Sequence, residues 1–465
     1  METVLIFFAL AVTAWTAYMI IKGYKAQAIL IFSGLILMTS AMIFIPYGDV
    51  ASGGYLTAAR RTGSRWFDLF AYIRQLLEVR TAAIGILIMS IAGFAKYMDH
   101  IGASRVLVFL AIKPLQGLKS PYIALSLCFV VGVLLNLVIA SAAGLAMLLM
   151  VTMYPILLRL GVSKLGAAAV IGSCTLLDLG PASGTANLAA QTVGLDIMDY
   201  FLNHQVQVAI FIVITAAILH FFIQRAFDRK DGHVAEGTLG PAEEAVENQT
   251  DMPPKFYAIL PVVPLALLIA FSTLFDNPWI LHIVTAMLIS LFVAMVCELI
   301  RTRDAKKVTG SIQVYFDGMG VSFATVITLI IAAEVFARGL MISGAVNGLI
   351  EGARSLGLGG GVFTIVMSSA IAATTVVMGS GVAAFFAFAG LVPDVAASIG
   401  VNPVSMILPM QLSTSIARSV SPIAAVIIAV AGIAGVSPVA VVKRTAIPLA
   451  GAMIANLAAS LIFLS

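Results

Sequence analysis

The chain has 465 residues, 61% of them hydrophobic and 10% charged, with a mean hydropathy of +1.07. That much apolar surface exceeds what soluble cores could bury, which excludes a water-soluble globular protein and places the chain in a bilayer. The formal net charge of +4 is small for this length and gives no sign of a nucleic-acid partner.

In chain order, the first apolar run, 4–21, lacks a basic leader and a small-residue cleavage site, so it reads as a retained helix rather than a signal peptide. A second run covers 27–46. Residues 65–78, R-W-F-D-L-F-A-Y-I-R-Q-L-L-E, have an amphipathic period that suits the membrane interface. A run at 81–98 leads into G-F-A-K-Y-M-D-H-I-G-A at 93–103. Residues 121–159 are apolar but split by Ala140-Ser141-Ala142-Ala143-Gly144, and 164–195 are split near Asp178-Leu179-Gly180-Pro181. Each segment is too long for one helix and too weak in the middle for two, so the pair reads as a re-entrant hairpin followed by a discontinuous helix. After a run at 205–224 comes a polar, Gly- and Pro-containing linker at 226–255, then runs at 256–273 and 278–300. The run at 317–338 leads into V-F-A-R-G-L-M-I-S-G-A at 335–345, and a last run occupies 445–464.

The two quoted segments echo each other: Phe94, Ala95, Gly102 and Ala103 recur as Phe336, Ala337, Gly344 and Ala345 at one constant offset. Downstream, Pro155 answers Pro393, Gly161-Val162 answers Gly400-Val401, and 181–194 aligns without a gap on 422–435. The second half accordingly repeats the breaks, at 374–381 and 413–422. Such a repeat in an apolar chain points to a two-fold transporter core with its site where the halves meet. Basic residues test the topology. Lys22, Lys25, Lys113, Lys119, Arg225, Arg229, Lys230, Arg301, Arg303, Lys306, Lys307, Lys443 and Arg444 fall on one side, the cytoplasm, if the N-terminus is outside. The repeats are then inverted relative to each other. Arg60, Arg61, Arg65, Arg74 and Arg80 disagree, an exception the interfacial stretch absorbs. The expected fold is thus an all-α polytopic membrane protein with about ten to twelve membrane segments and two inverted-topology repeats. Its parts are N-terminal helices with the interfacial helix (1–78), repeat 1 (79–225), a cytoplasmic linker (226–255), connecting helices (256–312) and repeat 2 (313–465).

Breaking a helix in lipid is costly unless the freed backbone meets a cavity or a ligand, so the matched breaks mark a site. Half-helix N-termini there suit a carboxylate. Small and hydroxylic residues gather at the breaks: Ser141 and Gly144; Ser183, Gly184, Thr185 and Asn187; Thr375, Gly379, Ser380 and Gly381; Gln411, Ser413, Thr414, Ser415 and Ser419. Apart from Gln411, these are the candidate substrate ligands. Taken singly, each is as well explained by helix packing; the matched clustering favours binding. Arg418, a forked cation in the last break, suits a bidentate carboxylate, against a bland role pairing an acid or a carbonyl. Asp178 stands in the matching first-half break, one position out of register, and suits a coupling cation, a proton, or pairing with Arg418. Ser173, Thr175 and Glu334 complete the coupling-ion candidates, Glu334 being read first as an i, i+4 partner of Arg338. Lys96 and Arg338, near helix ends, read as snorkelling. Phe385, Phe386 and Phe388 read as packing or lipid-facing aromatics. Cys128, Cys174 and Cys297 lack C-x-x-C spacing, and His100, His204, His220, His233 and His282 form no ligand cluster, so no metal site or cofactor is expected beyond a coupling Na+ or H+.

The 93–103 segment, K-P-L-Q-G-L-K-S-P-Y at 113–122, A-R-S-V-S-P-I-A-A-V-I-I-A-V-A-G at 417–432 and V-V-K-R-T at 441–445 closely resemble the anaerobic C4-dicarboxylate carriers of the DcuC type, over essentially the whole chain. The resemblance implies a secondary carrier of fumarate, succinate and related dicarboxylates in a bacterial inner membrane, by exchange, efflux or cation-coupled uptake. Through similarity to the wider ion-transporter superfamily it also implies a homodimeric scaffold, to which the N-terminal and connecting helices belong, and an elevator-like transport domain. The hairpin tips here, Ala140-Ser141-Ala142-Ala143-Gly144 and Met378-Gly379-Ser380-Gly381, depart from that superfamily's Ser-Asn-Thr, which puts its sodium sites in question. The same frame would also serve a carrier of citrate or acidic amino acids, or an anion channel. Nothing in the motifs supports an enzyme: H-E-x-x-H, a paired-carboxylate site and a Ser/Lys arrangement are all missing.

Overall fold

The computed structural model describes residues 2–44, 62–118, 120–233, 252–272, 279, 281–345, 351 and 359–464, and every regular element among them is helical. Backbone in hydrocarbon must satisfy its own polar groups, and a helix does so within one segment. Most of the expected linker, together with Arg60, Arg61 and Lys119, lies outside the described residues.

Helices α1 (Glu2–Ile21) and α2 (Ala26–Phe44) pack on each other. Helix α3 (Arg65–Arg80) passes through a π-helical turn, Thr81–Gly85, into α4 (Ile86–His100). Trp66–His100 is therefore one helical run of 35 residues. At 1.5 Å per residue it is about 50 Å long, well beyond a hydrocarbon core of about 30 Å. The stretch expected as an interfacial helix is the beginning of this run, which continues unbroken through residue 79.

After α5 (Ala103–Ile112), helices α6 (Pro121–Asn136) and α7 (Ala142–Thr152) contact each other and are followed by α8 (Tyr154–Arg159). Then α9 (Lys164–Ser173) stops, the chain runs non-helically over 174–183, and α10 (Gly184–Thr192) resumes. The short α11 (Ile197–Asp199) joins α12 (Val206–Lys230) through a second π-helical segment, Tyr200–Gln205. Next come α13 (Val263–Ala270) and α14 (Ile283–Thr302). Helix α15 (Ala305–Ser322) passes through a third π segment, Phe323–Ile327, into α16 (Thr328–Ile342). That segment follows Thr81–Gly85 at the offset that separates Phe336 from Phe94. Helices α17 (Gly360–Met378), α18 (Gly381–Ala389), α19 (Val392–Ile399), α20 (Pro403–Arg418), α21 (Ala425–Ala434) and α22 (Pro438–Phe463) complete the chain.

The later breaks are shorter than their hydroxyl content suggests. Helix α17 stays regular through Thr374 and Thr375 to Met378, and α20 stays regular through Ser413, Thr414 and Ser415 to Arg418. Thr374 and Thr375 each donate to the carbonyl four residues back, at 2.9 Å, and Thr414 donates to the Gln411 carbonyl at 2.7 Å. Hydroxyls satisfied by their own helix do not interrupt it. Only 379–380 and 419–424 are non-helical.

Among the described residues, seven helices are long and apolar enough to cross a membrane, eight if the bent pair Gly381–Ala389 and Val392–Ile399 is one span. Among the shorter apolar helices, Pro121–Asn136, Ala142–Thr152, Lys164–Ser173 and Ala425–Ala434 are too short to cross alone. Close crossings hold the first group of long helices together: a Cβ on Gly34 of α2 would lie 2.6 Å from the Val335 carbonyl of α16, and one on Gly318 of α15 would lie 2.8 Å from Cα of Gly93 in α4. Elsewhere α12 packs along α22, and α20 lies against both α17 and α22. Phe292 and Ile300 of α14 are 69% and 71% exposed, as suits a surface that meets lipid rather than water.

Candidate functional site

Where α4 and α15 face the first break and the tip of the α6–α7 pair, the molecule encloses a cleft of about 490 Å³. The first break forms one wall through Asp178, Ser183, Gly184 and Thr185; Ser141 and Ala142 come from the tip, and Arg418 reaches in from the end of α20. Local chemistry explains each placement. Ser141 caps α7 by accepting from the Gly144 N–H at 3.1 Å, and Ser183 caps α10 by accepting from the Ala186 N–H at 3.2 Å. Two helix N-termini therefore open on the same space, each with first-turn N–H groups that have no intrahelical acceptor.

Arg418 is held by partners on the wall of the cleft. Its Nη1 donates to Asp178 Oδ2 at 3.1 Å and its Nη2 to Asp178 Oδ1 at 3.1 Å, while Nη2 also donates to the Thr175 carbonyl at 2.6 Å. The two side chains are 12% and 17% exposed, so the pair is shielded but reachable from the cleft. Ser415 adds a hydrogen bond to Asp178 Oδ2 at 3.1 Å. Of the roles open to Asp178, pairing with Arg418 is the one the geometry shows. A neutral pair in low dielectric costs far less than an isolated guanidinium.

The other candidates disperse. Asn187 lies behind the loop, donating to the carbonyls of Pro181 (2.9 Å) and Ser183 (2.7 Å). Thr375 and Thr414 are absorbed by their helices, and Ser413 accepts from Asn456 at 3.0 Å. Gly379, left-handed at φ +70°, and Gly381 seat the second tip against Ile423 and the Thr414 carbonyl; Ser380 caps α18. Ser419 is buried, and its carbonyl accepts from Thr445 at 3.1 Å. Ser173 bonds His220 at 2.9 Å, away from the cleft. Glu334 does not line the cleft either. It pairs with Arg80 at 2.6 Å across the α3–α16 contact, where the sequence suggested Arg338 on its own helix.

Sequence reasoning missed several residues. Lys96 and Asp99 of α4 line the cleft on the wall facing the first break. Phe386, read only as packing or lipid-facing, is 3% exposed and lines the cleft as well. Gln205 and Tyr200 bond Gln411 behind the first break. The π segment that presents them gave no periodic signal. Among the described residues no group of His, Cys, Asp and Glu could hold a metal ion.

Broken helices that bring a few polar side chains together at a cleft inside an apolar helical bundle define a multi-pass membrane transporter. Two solved transporters share the fold: Neisseria gonorrhoeae MtrF, of a class of antimetabolite efflux pumps, and the Alcanivorax borkumensis YdaH transporter. MtrF superposes with a TM-score of 0.62 over 94% of this chain and 95% of its own, and YdaH with 0.59 over 94% and 97%, each at 15% identity. The chain belongs to the C4-dicarboxylate anaerobic carrier family, whose family model matches residues 3–464. It is 37% identical to the anaerobic C4-dicarboxylate transporter DcuC of Escherichia coli K12 over 92% of this chain and 90% of that one. The probable DcuC of Vibrio cholerae is 34% identical over 94% and 93%.

Proposed function

We propose that this protein carries C4-dicarboxylates across a bacterial inner membrane by alternating access, with the cleft at the first break as its substrate site. The observation that carries the reading is the convergence of the Arg418 guanidinium with the N-termini of α7 and α10 on one cleft. One substrate carboxylate competes with Asp178 for Arg418. The other lies toward the first turns of α7 and α10, with Ser141, Ser183 and Thr185 setting orientation. Asp178 keeps Arg418 neutralised when the site is empty, and a bound dianion takes over that task. A bare dianion is expensive in low dielectric, so Arg418 and the two half-helix N-termini lower the cost of carrying it across, and exchange of fumarate for succinate leaves no net charge moved per cycle. Net uptake of a dianion against an inside-negative potential requires H+ or Na+, and Asp178 is the acid placed to couple it.

The frame we propose is a pair of inverted repeats with an outside N-terminus, in which α6–α12 and α17–α22 move as an elevator against a dimeric scaffold of the other long helices. On this reading the half-length helices of the tips and breaks bring the membrane segments to about ten to twelve. Supporting it are the π segments at a shared offset and the left-handed glycines at matched positions, Gly102 with Gly344, Gly161 with Gly400 and Gly194 with Gly435. Counterflow in proteoliposomes tests the function: preloaded succinate should accelerate entry of labelled fumarate, with saturation. Ion conductance without that acceleration would overturn the carrier reading in favour of a channel.

A further inference from the structure

Behind the cleft, helix α20 grips Asp178 at both ends. Gln411, Ser415 and Arg418 stand at i, i+4 and i+7 and so share one face. Ser415 and Arg418 hold the carboxylate, while Gln411 Nε2 donates to the Asp178 main-chain carbonyl at 2.7 Å and to Thr185 Oγ1 at 3.4 Å. On its other side Gln411 Oε1 accepts from Gln205 Nε2 at 2.9 Å and from the Tyr200 hydroxyl at 3.1 Å. Gln205 Oε1 in turn accepts the N–H of Gly180, left-handed at φ +70°, at 2.9 Å.

The chain of bonds allows a single orientation of both carboxamides. The Gly180 N–H can only donate, so Gln205 must turn its oxygen to it and its nitrogen to Gln411. Gln411 must then meet Gln205 with its oxygen, which leaves its nitrogen for the Asp178 carbonyl. Gln411, Gln205 and Tyr200 are each 0% exposed, so water does not substitute for any of these partners. Residues 178–180 are thereby clamped between α20 and the π segment that precedes α12.

We infer that Gln411 is a positioning residue for substrate binding: by fixing the Asp178 main chain it keeps the Asp178 carboxylate on Arg418, and so sets how strongly a substrate must compete for that guanidinium. The inference rests on the proposed function. Loosening the clamp weakens the internal competitor, so Gln411→Leu tightens dicarboxylate binding, acting through Asp178. A merely structural glutamine would not behave this way, because a damaged site binds less.

The test is a double-mutant cycle on the full-length protein in detergent, reading the succinate Kd by calorimetry, with the melting temperature as a check of folding. Gln411→Leu and Asp178→Asn should each lower the Kd about tenfold, and the double variant should differ from Asp178→Asn by less than about twofold. Weaker binding in Gln411→Leu, or an equal change in both backgrounds, overturns the inference and leaves the dicarboxylate site standing. A wild-type protein that neither binds nor exchanges dicarboxylates overturns the proposed function itself. Should Gln411→Leu not fold, Gln205→Leu decides: it removes the anchor of the Gln411 carboxamide and should lower the Kd in the same direction, only in the presence of Asp178. An unchanged or raised Kd there overturns the inference.

Discussion

The two helix breaks share a frame and differ in what they face. The first, 174–183, spreads over ten positions and turns Asp178, Ser183 and the start of α10 toward the cleft. The second, 419–424, is closed by its own hairpin tip: Ser421 donates to the Val376 carbonyl at 2.7 Å, Gly379 packs on Ile423, and Thr445 holds the Ser419 carbonyl. Its contribution to the cleft is Arg418, at the last position of α20, from which the guanidinium crosses to Asp178. One break is built to be reached and the other to be packed. Backbone interruption alone therefore does not make a binding site; the interruption must also be left unfilled by its neighbours.

Substitutions can break or sharpen this contrast. The largest effect belongs to the residue that joins the breaks. Arg418→Ala should weaken succinate binding by a hundredfold or more, since it removes the forked donor and strands Asp178 at a cost of about 3–5 kcal/mol. Calorimetry on a protein that still elutes as a folded species reads it, and unchanged affinity would remove Arg418 from the site. Next is Gly379→Ala in the packed tip. A left-handed backbone and a Cβ placed 2.9 Å from Ile423 should cost about 1–3 kcal/mol, read as a lower melting temperature with the succinate Kd unchanged. Ser183→Ala, in the open break, should weaken binding about three- to tenfold, from the loss of a cap and a hydroxyl worth about 1 kcal/mol. Ser421→Ala, in the packed break, should leave the Kd alone and lower stability by about 1 kcal/mol. Equal effects of the two serines on binding would erase the distinction between the breaks.

Much of this frame was legible in the residues. Long apolar runs located the helices, and the weak centres at 140–144 and 178–181 located the first tip and the first break, because Ser141 caps a new helix at the one and Gly180 and Pro181 cannot continue a helix cheaply at the other. Arg418 and Asp178 stood out as ionisable groups in apolar surroundings. What stayed hidden depends on tertiary partners. Composition does not tell a hydroxyl that lines a cavity from one that folds back on its helix, so Thr375 and Thr414 read like Ser141 and Ser183. Local spacing offered Arg338 to Glu334, whereas the geometric partner, Arg80, lies far away in sequence. A buried amide chain such as Gln205–Gln411 has no period to betray it.

The decisive measurement is a structure determined with succinate bound. One carboxylate should lie within hydrogen-bonding distance of Arg418, in place of at least one Asp178 oxygen, and the other at the first turn of α10 or α7. Succinate seated at the second break, or anywhere with the Arg418–Asp178 pair undisturbed, would contradict this placement.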